Sequence, residues 1–239
     1  MGYGYYGYYG YYMDWTYLLV LAGAILSLIA SARVNSTFQK YARVRSMSGM
    51  TAAEVARRIL DRNGLSNIPV EHVSGTLSDH YDPGRRVLRL SDSTYHSPSV
   101  AAIGVAAHEC GHALQHKEAY RPLQIRNAIV PAANIGSRMG IPILLLGLLL
   151  GGGGSFLVNV GIWVFSLAVL FQIITLPVEF NASRRALVML EDYGVLGEQE
   201  NAKAKKVLSA AAMTYVAAAA ASVLQLLRLV LLFGRRNDD

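Results

Sequence analysis

The residues IVPAANIGSRMGIPILLLGLLL (129–150), GGGGS (151–155) and FLVNVGIWVFSLAVLFQIITLPV (156–178) decide the class of this chain. A membrane crossing needs about 20 consecutive apolar residues, and each arm is long enough. The glycine run between them is a flexible connector by composition. The pair, 129–178, therefore reads as a transmembrane hairpin. Arg138 sits near the start of the first arm; either it snorkels or the span begins later, near Met139.

Two more segments extend the pattern. Residues 15–32 carry no charge and are followed by Arg33, Lys40, Arg43 and Arg45. A signal peptide would carry Lys or Arg ahead of its apolar run, and residues 1–14 have none, so an uncleaved first span is expected. Residues 209–234 are Ala-rich and then Leu-rich, but they include Arg228. An intramembrane Arg usually faces protein or water, so this helix either spans or packs partly within the polar part of the chain. Residues 1–14 hold seven tyrosines among glycines and read as an interfacial tail.

Composition agrees with this division. The chain has 239 residues, 53% hydrophobic and 16% charged, against about 25% charged in soluble domains. That excludes a disordered chain, which needs low hydrophobicity and high charge. The net charge of +6 is explained by basic residues flanking spans better than by nucleic-acid binding, for which there is no motif. A single cysteine, Cys110, excludes an intrachain disulfide. Lys and Arg concentrate after the first span and after the hairpin, which predicts that both loops, and the active site with them, are cytoplasmic. Arg235 and Arg236 at the far end run against that bias.

Residues 33–128 are polar and punctuated. Thr51-Ala-Ala-Glu54 is a capping box that opens a helix, and Asn63-Gly64 closes it. Residues 68–73 read as a strand. Asp82-Pro83-Gly84 is a turn, with Val87, Leu88 and Leu90 forming a strand after it. Ser97 is expected as an N-cap with Pro98 at the first helical position, opening a buried helix to about His116. The fold class is thus mainly α, multi-pass, with a small α+β part.

That last helix contains His108-Glu109-Cys110-Gly111-His112, an H-E-x-x-H match. Residues four apart share a helix face, so both imidazoles can reach one ion, and Glu109 stands beside them to take a proton. The bland alternative, two core histidines satisfied by hydrogen bonds, leaves a costly buried cluster. Cys110 points away from His108 and reads as core packing. A catalytic zinc takes three protein ligands and keeps a position for water. His116 cannot be the third, because its Cα lies about 12 Å along a straight helix from that of His108. It is expected as a supporting or surface group. Glu179, in the segment 179–208, returns to the same membrane side after two spans and is the better candidate. Otherwise it is an interfacial carboxylate paired with Arg184 or Arg185, and Glu191 is the reserve.

The stretches 100–115, 176–186 and 210–232, with 70–92, resemble the neutral zinc metallopeptidases of bacteria (the YugP-like family), which are integral-membrane gluzincins. The resemblance covers the chain from about residue 16 onward. It implies a zincin-like catalytic part around the H-E-x-x-H helix and one Zn2+ held by His108, His112 and Glu179, with Glu109 catalytic. Many gluzincins place Asp four residues after the Glu ligand to orient a ligand His. Here that position is Ser183, whose hydroxyl is a weaker orienter, and Asn181 is an alternative.

The expected reaction is zinc-dependent hydrolysis of peptide bonds in proteins or peptides at the bilayer surface, with Glu109 accepting and returning the proton. His116, Tyr215 and His80 are candidates for oxyanion donor. The strand 87–90 is a candidate for pairing with an extended peptide. A non-catalytic scaffold with a closed, four-ligand zinc site is the alternative. A transporter ranks last, since the chain has no internal repeat.

Overall fold

The computed structural model describes residues 14–150 and 155–233, so the Tyr-rich tail and the glycine connector lie outside the described residues. The chain runs α1 (Tyr17–Ala42), α2 (Ala52–Arg62), β1 (Val70–Val73), β2 (His80–Asp82), β3 (Val87–Ser91), α3 (Val100–Lys117), α4 (Arg121–Leu149), α5 (Ser155–Asp192) and α6 (Glu198–Phe233). It is mainly helical, with one small sheet. Helices α1, α4, α5 and α6 are each long and apolar enough to cross a membrane. Their exposed side chains, among them Leu28, Leu149, Phe156 and Trp163, suit a lipid surface better than water.

Local chemistry sets the element ends. Thr51 Oγ1 accepts from Glu54 N–H while Glu54 Oε2 accepts from Thr51 N–H, the reciprocal pair that starts α2. Gly64 closes α2 at φ +65°, a left-handed turn that suits glycine. The cap of α3 falls two residues later than the Ser-Pro pair suggests. Pro98 C=O is taken by Ser46 N–H at 2.9 Å, which holds that residue outside the helix. Ser99, in extended backbone, is the N-cap, its Oγ accepting from Ala102 N–H.

Three boundaries also move. Ala119, at φ +51°, ends α3, and α4 starts at Arg121 with Pro122 in its first turn, eight residues ahead of the expected span. Pro177 does not end α5, which runs on to Asp192, so Glu179 sits on the same helix as the second arm. Long apolar helices tolerate such a proline when neighbours absorb the freed carbonyl. The segment 179–208 is therefore two helix ends around a turn, and α6 continues unbroken through 209–233.

The sheet order is β1-β3-β2, with β1 parallel and β2 antiparallel to β3. The central position of β3 corrects one expectation: both of its edges are taken, so an extended peptide cannot pair with residues 87–90. β1 and β2 are the edge strands.

Helix α3 is apolar on nearly every side, as a helix surrounded by protein must be. Val100, Ala102, Ile103, Ala106, Ala107 and Cys110 are fully buried, among α2, the sheet and the inner ends of α5 and α6. Burial holds the Cys110 thiol well above its ordinary pKa, which suits packing and not reactivity.

Candidate metal centre

Two helices build the site. On α3, His108 and His112 project from one face, their Nε2 atoms 3.1 Å apart. On α5, Glu179 Oε2 lies 3.3 Å from His108 Nε2 and 3.6 Å from His112 Nε2. The approach of the helices depends on Gly111: a Cβ there would stand 2.6 Å from Ala182 C=O on α5. Any larger residue would push Glu179 away from the imidazoles.

Each imidazole is oriented from behind. Ser183 Oγ meets His108 Nδ1 at 3.1 Å. Gln115 Oε1 meets His112 Nδ1 at 3.0 Å. Gln115 is fully buried, and its Nε2 donates to Val178 C=O and to Asn181 Oδ1, both at 2.9 Å. Asn181 thus acts on the imidazole only through Gln115; its Oδ1 also accepts from Arg185 Nε at 2.8 Å. Both Nδ1 atoms are engaged, which leaves both Nε2 atoms facing Glu179.

Glu109 lies beside this cluster, 9% exposed, its Oε2 accepting from Tyr81 N–H of strand β2 at 2.9 Å. Burial pushes its carboxyl above the usual range, partly offset by His108 and His112. Burial alone would lower His112, but the Glu179 and Glu109 carboxylates outweigh it and favour the protonated ring.

The donor set fits a divalent cation. The ligand atoms of His108, His112 and Glu179 all lie within 4.8 Å of one another. Among the described residues Glu179 Oε2 is buried and has no hydrogen-bond partner. A buried carboxylate oxygen left so is costly unless a cation meets it, and nitrogen with oxygen is a zinc-type donor set.

A cavity of about 240 Å3 opens onto the cluster, lined by His80, Tyr81, Glu109, Arg126, Glu179 and Tyr215 among others. His80 and Tyr215 therefore border the site. His116 does not: its Nδ1 pairs with Tyr81 OH at 2.8 Å and its ring lines a separate cavity with Leu65 and Arg86. Glu191 lies further along α5, accepting from Asn201 Nδ2. Two groups were missed in the sequence. Gln115 is three residues after His112, on its face of α3, a spacing that could have exposed it. Arg126 Nη1 stands 3.7 Å from Glu179 Oε1; its signal was a cation at the edge of an apolar run, which tends to face protein.

The model of a family described as "Putative neutral zinc metallopeptidase" matches residues 16–234. The chain is 52% identical over 221 residues to the "Putative membrane protease YugP" of Bacillus subtilis (strain 168), across 92% of this chain and 97% of that protein. No solved structure matches.

Proposed function

Because the chain belongs to the neutral zinc metallopeptidase family, we propose that it is a multi-pass membrane zinc metalloendopeptidase that cleaves proteins or peptides at the bilayer surface. The observation that carries this reading is the convergence of His108, His112 and the unpartnered Glu179 Oε2 beside buried Glu109. His108, His112 and Glu179 would hold one zinc, and three protein ligands leave a position open for water, as catalytic sites do. Bound there, zinc supplies Lewis acidity, polarising a peptide carbonyl and acidifying water.

The chain's own groups do the rest. Glu109 is the general base: it takes a proton from water and returns it to the leaving amine. Tyr81 N–H fixes the Glu109 carboxylate, and Ser183 and Gln115 fix the imidazole planes. Tyr215 and His80, on the cavity wall, are the candidates for stabilising the oxyanion. Residues 33–128, with the inner ends of α5 and α6, form the zincin-like catalytic part. The basic flanks of the spans favour a cytoplasmic site.

The test is Glu109→Gln in purified, zinc-loaded protein, assayed on casein and a quenched-fluorescence peptide mixture. Zinc content should stay at one per chain, while hydrolysis falls about 10²- to 10⁴-fold, the usual contribution of a positioned base. Cleavage at the parental rate would remove Glu109 from this role. A fourth protein ligand on the zinc would favour a structural scaffold.

A further inference from the structure

Helices α1 and α6 pack tightly in their apolar middle. A Cβ at Gly23 would lie 3.0 Å from Ala221. Toward the end where both helices turn polar they leave a cavity of about 710 Å3 between them. Arg33, Thr37, Lys40 and Tyr41 line it from α1, at the spacing of one helix face, and Lys205, Lys206, Ser209 and Met213 line it from α6.

Its chemistry is one-sided. Among the described residues four cations line this cavity and no carboxylate does. Among the described residues none of Arg33, Lys40, Lys205 or Lys206 makes an ion pair. All four are exposed. The cluster stands at the level where the apolar runs begin: Arg33 directly follows the uncharged run 15–32, and Lys206 directly precedes Val207. One and two turns into that run from Arg33, Ile29 and Leu26 are exposed on the same face, and Met213 is exposed on α6.

We propose that this cavity is a binding site for an anionic phospholipid, its phosphate held by Arg33, Lys40, Lys205 and Lys206 and its acyl chains lying along Ile29, Leu26 and Met213. A soluble anion would use the cations but not the apolar strip. A zwitterionic lipid would use the strip but carries an ammonium group that the cations repel. A basic pocket between membrane helices suits an anionic headgroup on both counts. The site stands apart from the histidine cluster and does not rest on the metallopeptidase reading.

The test uses full-length protein in nanodiscs or detergent, delipidated and titrated with phosphatidylglycerol or phosphatidylcholine, with bound lipid counted by native mass spectrometry. One phosphatidylglycerol should be retained preferentially. Lys40→Gln with Lys206→Gln should weaken that binding about 25-fold, the product of about fivefold per cation near an anionic surface. Lys40→Arg with Lys206→Arg should keep it, as should Arg85→Gln with Arg86→Gln, which removes equal charge elsewhere. Helicity of each variant in phosphatidylcholine guards against misfolding. Equal retention by Lys40→Gln/Lys206→Gln and the parent, or equal binding of the two lipids, overturns the proposal. Displacement of the lipid by millimolar inorganic phosphate would identify a soluble-anion site and overturn the lipid assignment.

Discussion

Gln115 grips His112: its Oε1 meets the imidazole Nδ1 at 3.0 Å, while its Nε2 is tied to α5 through Val178 C=O and Asn181 Oδ1. One amide thus couples the orientation of a ring on α3 to the helix that carries Glu179. Gln115→Leu keeps the volume and removes that coupling. It should lower zinc affinity about 10- to 100-fold, the usual effect of losing a partner behind a ligand. Competition with a fluorescent zinc chelator measures it; affinity equal to the parent would show that the bond does not orient the ring. Ser183→Ala should act on His108 in the same direction.

Gly111 fills the variable position before His112 for a steric reason. Its added Cβ would come 2.6 Å from the Ala182 carbonyl, and backbone cannot yield as a side-chain tip can. Gly111→Ala should cost about 1–3 kcal/mol of stability, in line with overpacking elsewhere, despite the better helix propensity of alanine. Because the clash parts α3 from α5, zinc affinity should fall with it. Thermal unfolding and zinc content check both; a variant as stable and as metal-rich as the parent would contradict the geometry.

The hairpin that presents Tyr81 to Glu109 is tied by Asp82, whose Oδ1 accepts from Gly84 and Arg85 N–H. The Arg85 and Gly84 N–H bonds hold the Asp82 carboxyl below its ordinary value of 3.8. A depressed carboxylate stabilises the fold fully above that ordinary value and loses the contribution as pH falls through the lower, folded one. The turn should therefore loosen only in strong acid. Asp82→Asn should remove that contribution at neutral pH and so flatten the acid part of the profile, leaving the strongly acidic end little changed, as followed by acid titration of near-UV circular dichroism.

Periodicity and punctuation made most elements readable. The capping box at Thr51, the Asn63-Gly64 stop and the Asp82-Pro83-Gly84 turn each act through neighbours in sequence, so they could be seen there. What escaped depends on distant contacts. Pro98 was drawn out of α3 by Ser46, a residue 52 positions earlier. Pro177 was absorbed inside α5 because a long helix packed against α4 outweighs one missing hydrogen bond. The central place of β3 follows from a parallel pairing with β1, which short apolar runs do not announce. At the candidate site, the H-E-x-x-H spacing marks two side chains on one helix face, and Glu179 followed from the hairpin returning the chain to the same side. Arg126 escaped for the same reason: that its guanidinium faces Glu179 depends on how α4 lies against α5.

Removing metal should expose how the three-residue set is balanced. Without a cation, the carboxylates around His112 favour the protonated ring, with Glu179 left beside two imidazoles. Zinc must displace that proton, so affinity should rise with pH through the imidazole range. A ligand that binds only the folded state stabilises it by about 2.7 kcal/mol at a free concentration 100 times its Kd. Chelation with 1,10-phenanthroline should therefore lower the melting temperature of the parent and abolish hydrolysis, and zinc should restore both. Glu179→Gln replaces the unpartnered buried oxygen with a neutral amide, so the variant should show little shift on chelation. A chelator shift in Glu179→Gln as large as in the parent would mean that the stabilising metal sits elsewhere.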